Sequence, residues 1–129
     1  MLNKKYKNAT IKKGGNLIGI IFLKATLNNT IVTLTDLSGN TIAWCSSGSA
    51  GFKNSRKSTS YAGQAAAEKL AKKAKQIGYQ VVTVKMKGFG FGKELAVKGL
   101  KKGGLWIKKI EDITPVIFNG CRQAKKRRI

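Results

Sequence analysis

Two short stretches of this chain combine cations with small or glycine residues, and each stands directly ahead of a segment with helical periodicity. Residues 48–59 (GSAGFKNSRKST) set Lys53, Arg56 and Lys57 among Asn54, Ser55 and Ser58. Unpaired helical N–H groups, the positive end of the helix dipole and mobile cations all attract the same anion, so this loop reads as a phosphate site. The competing reading is that Ser58 and Thr59 only cap the helix while the cations are solvated. The second stretch is Lys87-Gly88-Phe89-Gly90-Phe91-Gly92-Lys93. Glycine at alternate positions lets backbone N–H groups approach a phosphate without a Cβ in the way. The spacing matches neither the dinucleotide fingerprint nor a Walker loop, so no nucleotide cofactor is expected. Phe89 and Phe91 either stack on unpaired bases or turn into the core.

A third cationic stretch closes the chain: Asn119, Gly120, Cys121 and Arg122, then Lys125, Lys126, Arg127 and Arg128, with no acid among them. It has too little apolar content to fold alone and is expected to order on a polyanion. Within it, Gly120 leaves its amide nitrogen unhindered for attack on the Asn119 side chain, so the pair is open to succinimide formation or is a simple turn. The first fifteen residues hold Lys4, Lys5, Lys7, Lys12 and Lys13, again without an acid. Over all 129 residues, 26 Lys and Arg face 5 Asp and Glu, a formal charge of +21. So much like charge on one small body implies an anionic partner, and nucleic acid is the natural one.

Catalysis is poorly provided for. The absence of histidine removes the usual nucleophilic triads. The acids are Asp36, Glu68, Glu94, Glu111 and Asp112. Glu94 suits the first turn of a helix and Glu68 sits among lysines that can pair with it. Asp36 and Glu111-Asp112 fall at strand ends, so a metal-dependent nuclease is the alternative to a binding protein. We expect no enzyme and no metal. Cys45 and Cys121 have neither zinc-site spacing nor a disulfide pattern and read as reduced thiols.

Positioning these stretches requires a folded body, and 42% apolar residues over this length supply one domain with a core. Residues 17–25 are a nearly continuous apolar run, as for a strand covered on both faces. The uninterrupted part, residues 17–23, is far short of the roughly 20 residues that cross a bilayer. It follows lysines as a signal peptide would but lacks a small-residue cleavage site, so no membrane partner is expected. Residues 30–37 and 41–45 read as two more strands after the turns at Asn28-Asn29 and Ser38-Gly39-Asn40. A loop over residues 46–60 leads into a helix over 61–77, with Ala66, Leu70, Ala74 and Ile77 on one face and Gly78 as its stop. A strand over 80–87, a helix over 93–102 and a strand over 105–110 complete the order βββαβαβ. Short connections make the first three strands an antiparallel meander, and the two β-α-β crossovers demand parallel pairing. The expected fold is α/β, a mixed five-stranded sheet with helices packed on it. A basic extension (1–16) precedes the domain (17–118), and a basic tail (119–129) follows.

The run NNTIVTLTDLSGNTIAWCSSGSAGFKNSRKSTSYAGQAAAE, residues 28–68, resembles the S-eleven family of small-subunit ribosomal proteins of bacteria and organelles. The likeness continues through the glycine loop, Asp112-Ile113-Thr114-Pro115 and Asn119-Gly120-Cys121-Arg122 to Lys125-Lys126-Arg127-Arg128. It implies a ribonuclease-H-like three-layer domain without nuclease activity, seated on the platform of the small subunit. It also implies contacts with small-subunit rRNA near the messenger exit and E site, close to the mRNA path, and with neighbouring ribosomal proteins. The family's RNA contacts map onto Lys53–Ser58, onto Lys87 to Lys93 and onto the tail from Asn119. The chain departs from the family where Phe89 and Phe91 replace prolines, Gln123 and Ala124 replace Pro-Pro, and Asn54 replaces glycine. Of the 26 cations, 22 are Lys and 4 Arg. With abundant isoleucine and no Arg-rich presequence, this points first to a mitochondrion, with plastid or bacterial cytoplasm as alternatives.

Overall fold

The computed structural model describes residues 17–126 and 128. Strands β1 (Leu17–Ala25), β2 (Thr30–Thr35) and β3 (Thr41–Ser46) form the expected meander. Then come a 3₁₀ turn (Asn54–Ser58), helix α1 (Ser60–Ile77), β4 (Tyr79–Lys87), α2 (Lys93–Lys102) and β5 (Trp106–Asp112). The five strands make one sheet in the order β3-β2-β1-β4-β5. The β1–β2 and β2–β3 pairs are antiparallel, while β1–β4 and β4–β5 are parallel. The molecule is thus α/β with a mixed five-stranded sheet and two helices.

Side-chain alternation along the strands fixes where the core lies. Ile21, Leu23 and Ala25 of β1, Val32 and Leu34 of β2, and Val82 and Val84 of β4 are buried beneath both helices. Ala67 and Ala71 of α1 stand against Gly99 of α2 and Gly103 at its end, so the two helices lie close together. Leu70 and Leu100 fill the space that remains. Both helices therefore share one face of the sheet. The opposite face corrects the expectation that β1 is covered on both sides: Ile18, Ile20 and Phe22 are half-buried and Lys24 is exposed. Shielding there comes from neighbouring strands, the Lys85 ammonium standing 5.8 Å from the centre of the Phe22 ring.

Element ends follow side-chain chemistry. β2 stops at Thr35, two residues earlier than its alternation predicts, because the Asp36 carboxylate turns the chain. It accepts from the Ser38 and Asn40 amides, both at 2.9 Å, and from the Asn40 side chain at 3.0 Å. Those hydrogen bonds, the Asn40 side chain first, hold the Asp36 carboxyl below the usual range. Of the two candidate caps for α1 the structure uses Thr59, whose hydroxyl accepts from Ala62 N at 3.3 Å. No helix among the described residues is long and apolar enough to cross a membrane.

Candidate nucleic-acid interface

Because β3, β1, β4 and β5 all run the same way, their C-terminal ends lie at one end of the sheet. The segments that leave those ends are residues 47–59, 88–92 and 113–126, apart from the tight β1–β2 turn. A crossover helix after such a strand must begin at that end, so the N-termini of α1 and α2 lie there too. Strand direction thus brings the first two stretches singled out in the sequence to one edge, and the segment leading to the third leaves from the same edge.

In the first loop, Lys53, Asn54, Ser55 and Arg56 are exposed and Lys57 and Ser58 half-buried. The 3₁₀ turn is the element that patterning misses, since it carries no apolar period. It is closed by side chains: Ser58 donates to Ser55 O and Thr59 to Arg56 O, each at 2.7 Å. Asn54 has φ +56°, a left-handed conformation that Asn tolerates after glycine, which accounts for this departure from the family pattern. Residues 50–56 line a shallow cleft of about 520 Å³. Phe52 packs edge-on against Tyr61, ring centres 5.8 Å apart, fixing the loop to the first turn of α1.

The glycine loop is tied down on three sides. Gly90 N donates to Ala25 O at 3.0 Å, Gly88 N to the Thr114 hydroxyl at 3.1 Å, and the Ser60 hydroxyl to Phe91 O at 3.0 Å. The last of these joins the loop to the start of α1. A side chain at Gly88, which has φ +104°, would collide with the Ala25 carbonyl, and one at Gly90 with that of Thr26. The reason given for these glycines is therefore revised. The Gly88 and Gly90 amides are engaged inside the protein, Gly90 and Gly92 are buried, and the glycines serve close approach to the β1–β2 turn. What the loop offers outward is Lys87 and the rings of Phe89 and Phe91, 84% and 70% exposed, which settles against their turning into the core.

Lys93 is committed differently from its neighbours. Its ammonium contacts the Asp112 carboxylate, whose other oxygen accepts from the Thr114 amide at 3.0 Å and hydroxyl at 2.6 Å. Lys93 foremost, then Thr114, depress the Asp112 carboxyl well below the ordinary range. Glu111 is lowered likewise by Lys109. At Glu68 burial opposes ionisation, yet Gln64 and Lys102 together hold it below its usual value. From residue 115 the chain is exposed, with Asn119, Gly120, Cys121, Arg122, Lys125, Lys126 and Arg128 all open to solvent and Asn119 at φ +46°. Lys12, Lys13 and Arg127 lie outside the described residues.

The nuclease alternative fails on register. Asp36 follows Thr35, which pairs with Ile20, whereas Asp112 is level with Met86 and so with Leu23. Three strand spacings and about four residues of rise put the two acids on the order of 20 Å apart. A two-metal site needs about 4 Å. Among the described residues no three Cys, Asp or Glu side chains gather where they could hold a metal ion.

Fold and surface together define a basic α/β domain that gathers cationic loops and two helix starts at one sheet edge. Residues 19–128 match the family described as Ribosomal protein S11, and the chain belongs to that family. It is 56% identical to the small ribosomal subunit protein uS11m of Prototheca wickerhamii over 86% of this chain and 87% of the relative. With uS11m of Marchantia polymorpha it is 58% identical over 81% and 84%. With uS11 of the bacterium Kosmotoga olearia it is 45% identical over 98% and 93%. These names describe a structural ribosomal protein and no enzyme.

Proposed function

We propose that this chain is a structural constituent of the small ribosomal subunit that binds small-subunit rRNA and so supports translation. The single observation that carries the reading is that the loops holding residues 53–58 and 87–93, and the segment leading into the tail, all leave from one end of the sheet. Lys53, Asn54, Ser55, Arg56, Lys57 and Ser58 meet one stretch of backbone. Lys87, Phe89, Phe91 and, once released from Asp112, Lys93 meet a second, on a loop shaped by Gly88, Gly90 and Gly92. The tail, Asn119 to Arg122 with Lys125, Lys126, Arg127 and Arg128, lies along a third, and Lys12 and Lys13 add contacts from the extension. Phosphate neutralisation dominates affinity, and RNA shape gives specificity. The site is on the subunit platform near the messenger exit and E site, beside the mRNA path and neighbouring ribosomal proteins. The compartment is a mitochondrion, in keeping with the uS11m relatives. Co-sedimentation of the purified chain with small subunits stripped of their own copy tests the reading. Saturable binding that weakens steeply with salt supports it, and failure to enter the particle refutes it.

A further inference from the structure

We propose that the groove between Phe89 and the segment following β5 receives one unstacked base of the bound RNA, an inference that rests on the rRNA-binding reading. The groove has a volume of about 490 Å³, and Phe89, Thr114, Pro115, Val116 and Ile117 supply its walls with Asp112 at one end. Its lining is apolar although the chain carries +21 charges. Val116 and Ile117 are 79% and 76% exposed, and Phe118 beside them is 90% exposed. Side chains of this kind gain nothing from water.

The two sides of the groove are tied together by hydrogen bonds at Thr114. Gly88 N on one side grips the Thr114 hydroxyl on the other, and Asp112 fixes Thr114 through two hydrogen bonds. Gly90 N, bonded to Ala25 O, anchors the backbone next to Phe89. An apolar groove with an aromatic wall suits a flat, weakly polar group.

Charge selects among flat groups. Lys87 immediately precedes the slot, and Arg122, Lys125 and Lys126 follow it, while Lys93 neutralises the nearby acid Asp112. An apolar protein side chain would leave those cations unused, and a lone phosphate would leave the walls unused. A nucleotide uses both, its base between Phe89 and residues 115–117 and its phosphates toward the lysines and arginine.

Stacking and charge neutralisation respond differently to salt, which makes the proposal separable from the one it rests on. The full chain, Phe89→Ala and Phe89→Trp are titrated with a transcript of small-subunit rRNA between 50 and 300 mM KCl, with Lys126→Gln as the electrostatic control. Phe89→Ala is expected to weaken binding on the order of tenfold at every salt concentration, leaving the slope of log K against log salt unchanged. Phe89→Trp restores affinity, and Lys126→Gln lowers the slope. Wild-type affinity in Phe89→Ala overturns the base slot and leaves the rRNA reading intact. Wild-type RNA affinity combined with failure of Phe89→Ala to enter small subunits assigns the groove to a protein neighbour and also overturns it. Absence of salt-sensitive binding by the wild-type chain overturns both.

Discussion

The ammonium of Lys93 and the carboxylate of Asp112 are in direct contact although they are nineteen residues apart in sequence. The pair joins the first turn of α2 to the last residue of β5, and through Thr114 it reaches the Gly88 amide. A lysine that stands where an anion is expected is thus already paired in the free protein. Replacing Asp112 with Asn removes the charge and keeps the approximate shape. The expected outcome is tighter RNA binding with a steeper salt slope, because Lys93 gains freedom to meet a phosphate, and a small fall in melting temperature as the Thr114 clasp loosens. Filter binding across a salt series checks it, and a shallower slope than wild type would count against it.

A chain ending at Gly120 lacks the cationic tail but keeps every residue of the core. Its thermal transition is expected within about 2 °C of the full chain, since surface losses change stability by only a few tenths of a kcal/mol. RNA affinity at 100 mM salt falls by at least an order of magnitude if about three phosphate contacts go with the tail. For the full chain, engagement of about eight phosphates implies a loss on the order of 10³-fold or more between 50 and 200 mM salt. A flat salt response, or unfolding of the shortened chain, contradicts this division between folded body and tail.

Gly90→Ala places a methyl group against the Thr26 carbonyl at a buried position. Neither the carbonyl nor the Gly90–Ala25 hydrogen bond can yield without moving the β1–β2 turn, so a destabilisation of about 1–3 kcal/mol is expected in urea denaturation. Gly48→Ala is the matched control: like Gly90 it has no left-handed φ, but the nearest neighbour to the added carbon, Lys57 Cδ, lies at an ordinary 3.5 Å. Equal effects from the two would show that the close contact with Thr26 does not govern position 90.

Thr59→Ala removes the cap of α1 and the hydroxyl that closes the 3₁₀ turn on Arg56 O. A cost of about 1 kcal/mol is expected from the cap alone. Thr59→Ser retains both hydrogen bonds and should recover most of it. Chemical denaturation of the two variants provides the comparison, and equal stability of Ala and Ser would refute the assignment of the cap.

Asp36, Glu68, Glu111 and Asp112 all titrate below their ordinary values in the folded chain. A carboxyl whose folded pKa lies below its unfolded one contributes stability that is complete above the unfolded value, near pH 4, and is lost as acid drives the pH through the folded values. Melting temperature should therefore be level between pH 7 and about 5 and fall below about 4. Asp36→Asn should make the acid fall shallower. A stability that climbs on acidification would reverse the sign and remove these carboxylates from the account.

Much of this molecule was readable from its residues, and the failures have physical causes. Alternation in TIVTLT and QVVTVKMK and the small-residue face of α1 are local signals, and they located the strands and helices within a residue or two. Where β2 ends depended on a side chain folding back at Asp36, and β1 looked doubly covered because lateral shielding by its neighbours also favours apolar residues. The cationic stretches announced themselves by composition. Their departure from one edge did not, because it follows from strand direction. The Lys93–Asp112 contact and the exposed residues 116–118 carry no periodic signal at all, and the glycines of residues 88–92 suggested open amides where the fold has used them for packing.

The hairpin that Asp36 closes lies at the opposite end of the sheet from every loop named above as touching RNA. Residues 38 and 39 at its tip are exposed, and Gly39 has φ +92° with open space around it. A fluorophore or affinity handle attached there would hang clear of the bound surface, so the chain can be followed into a particle by labelling without disturbing the contact being measured.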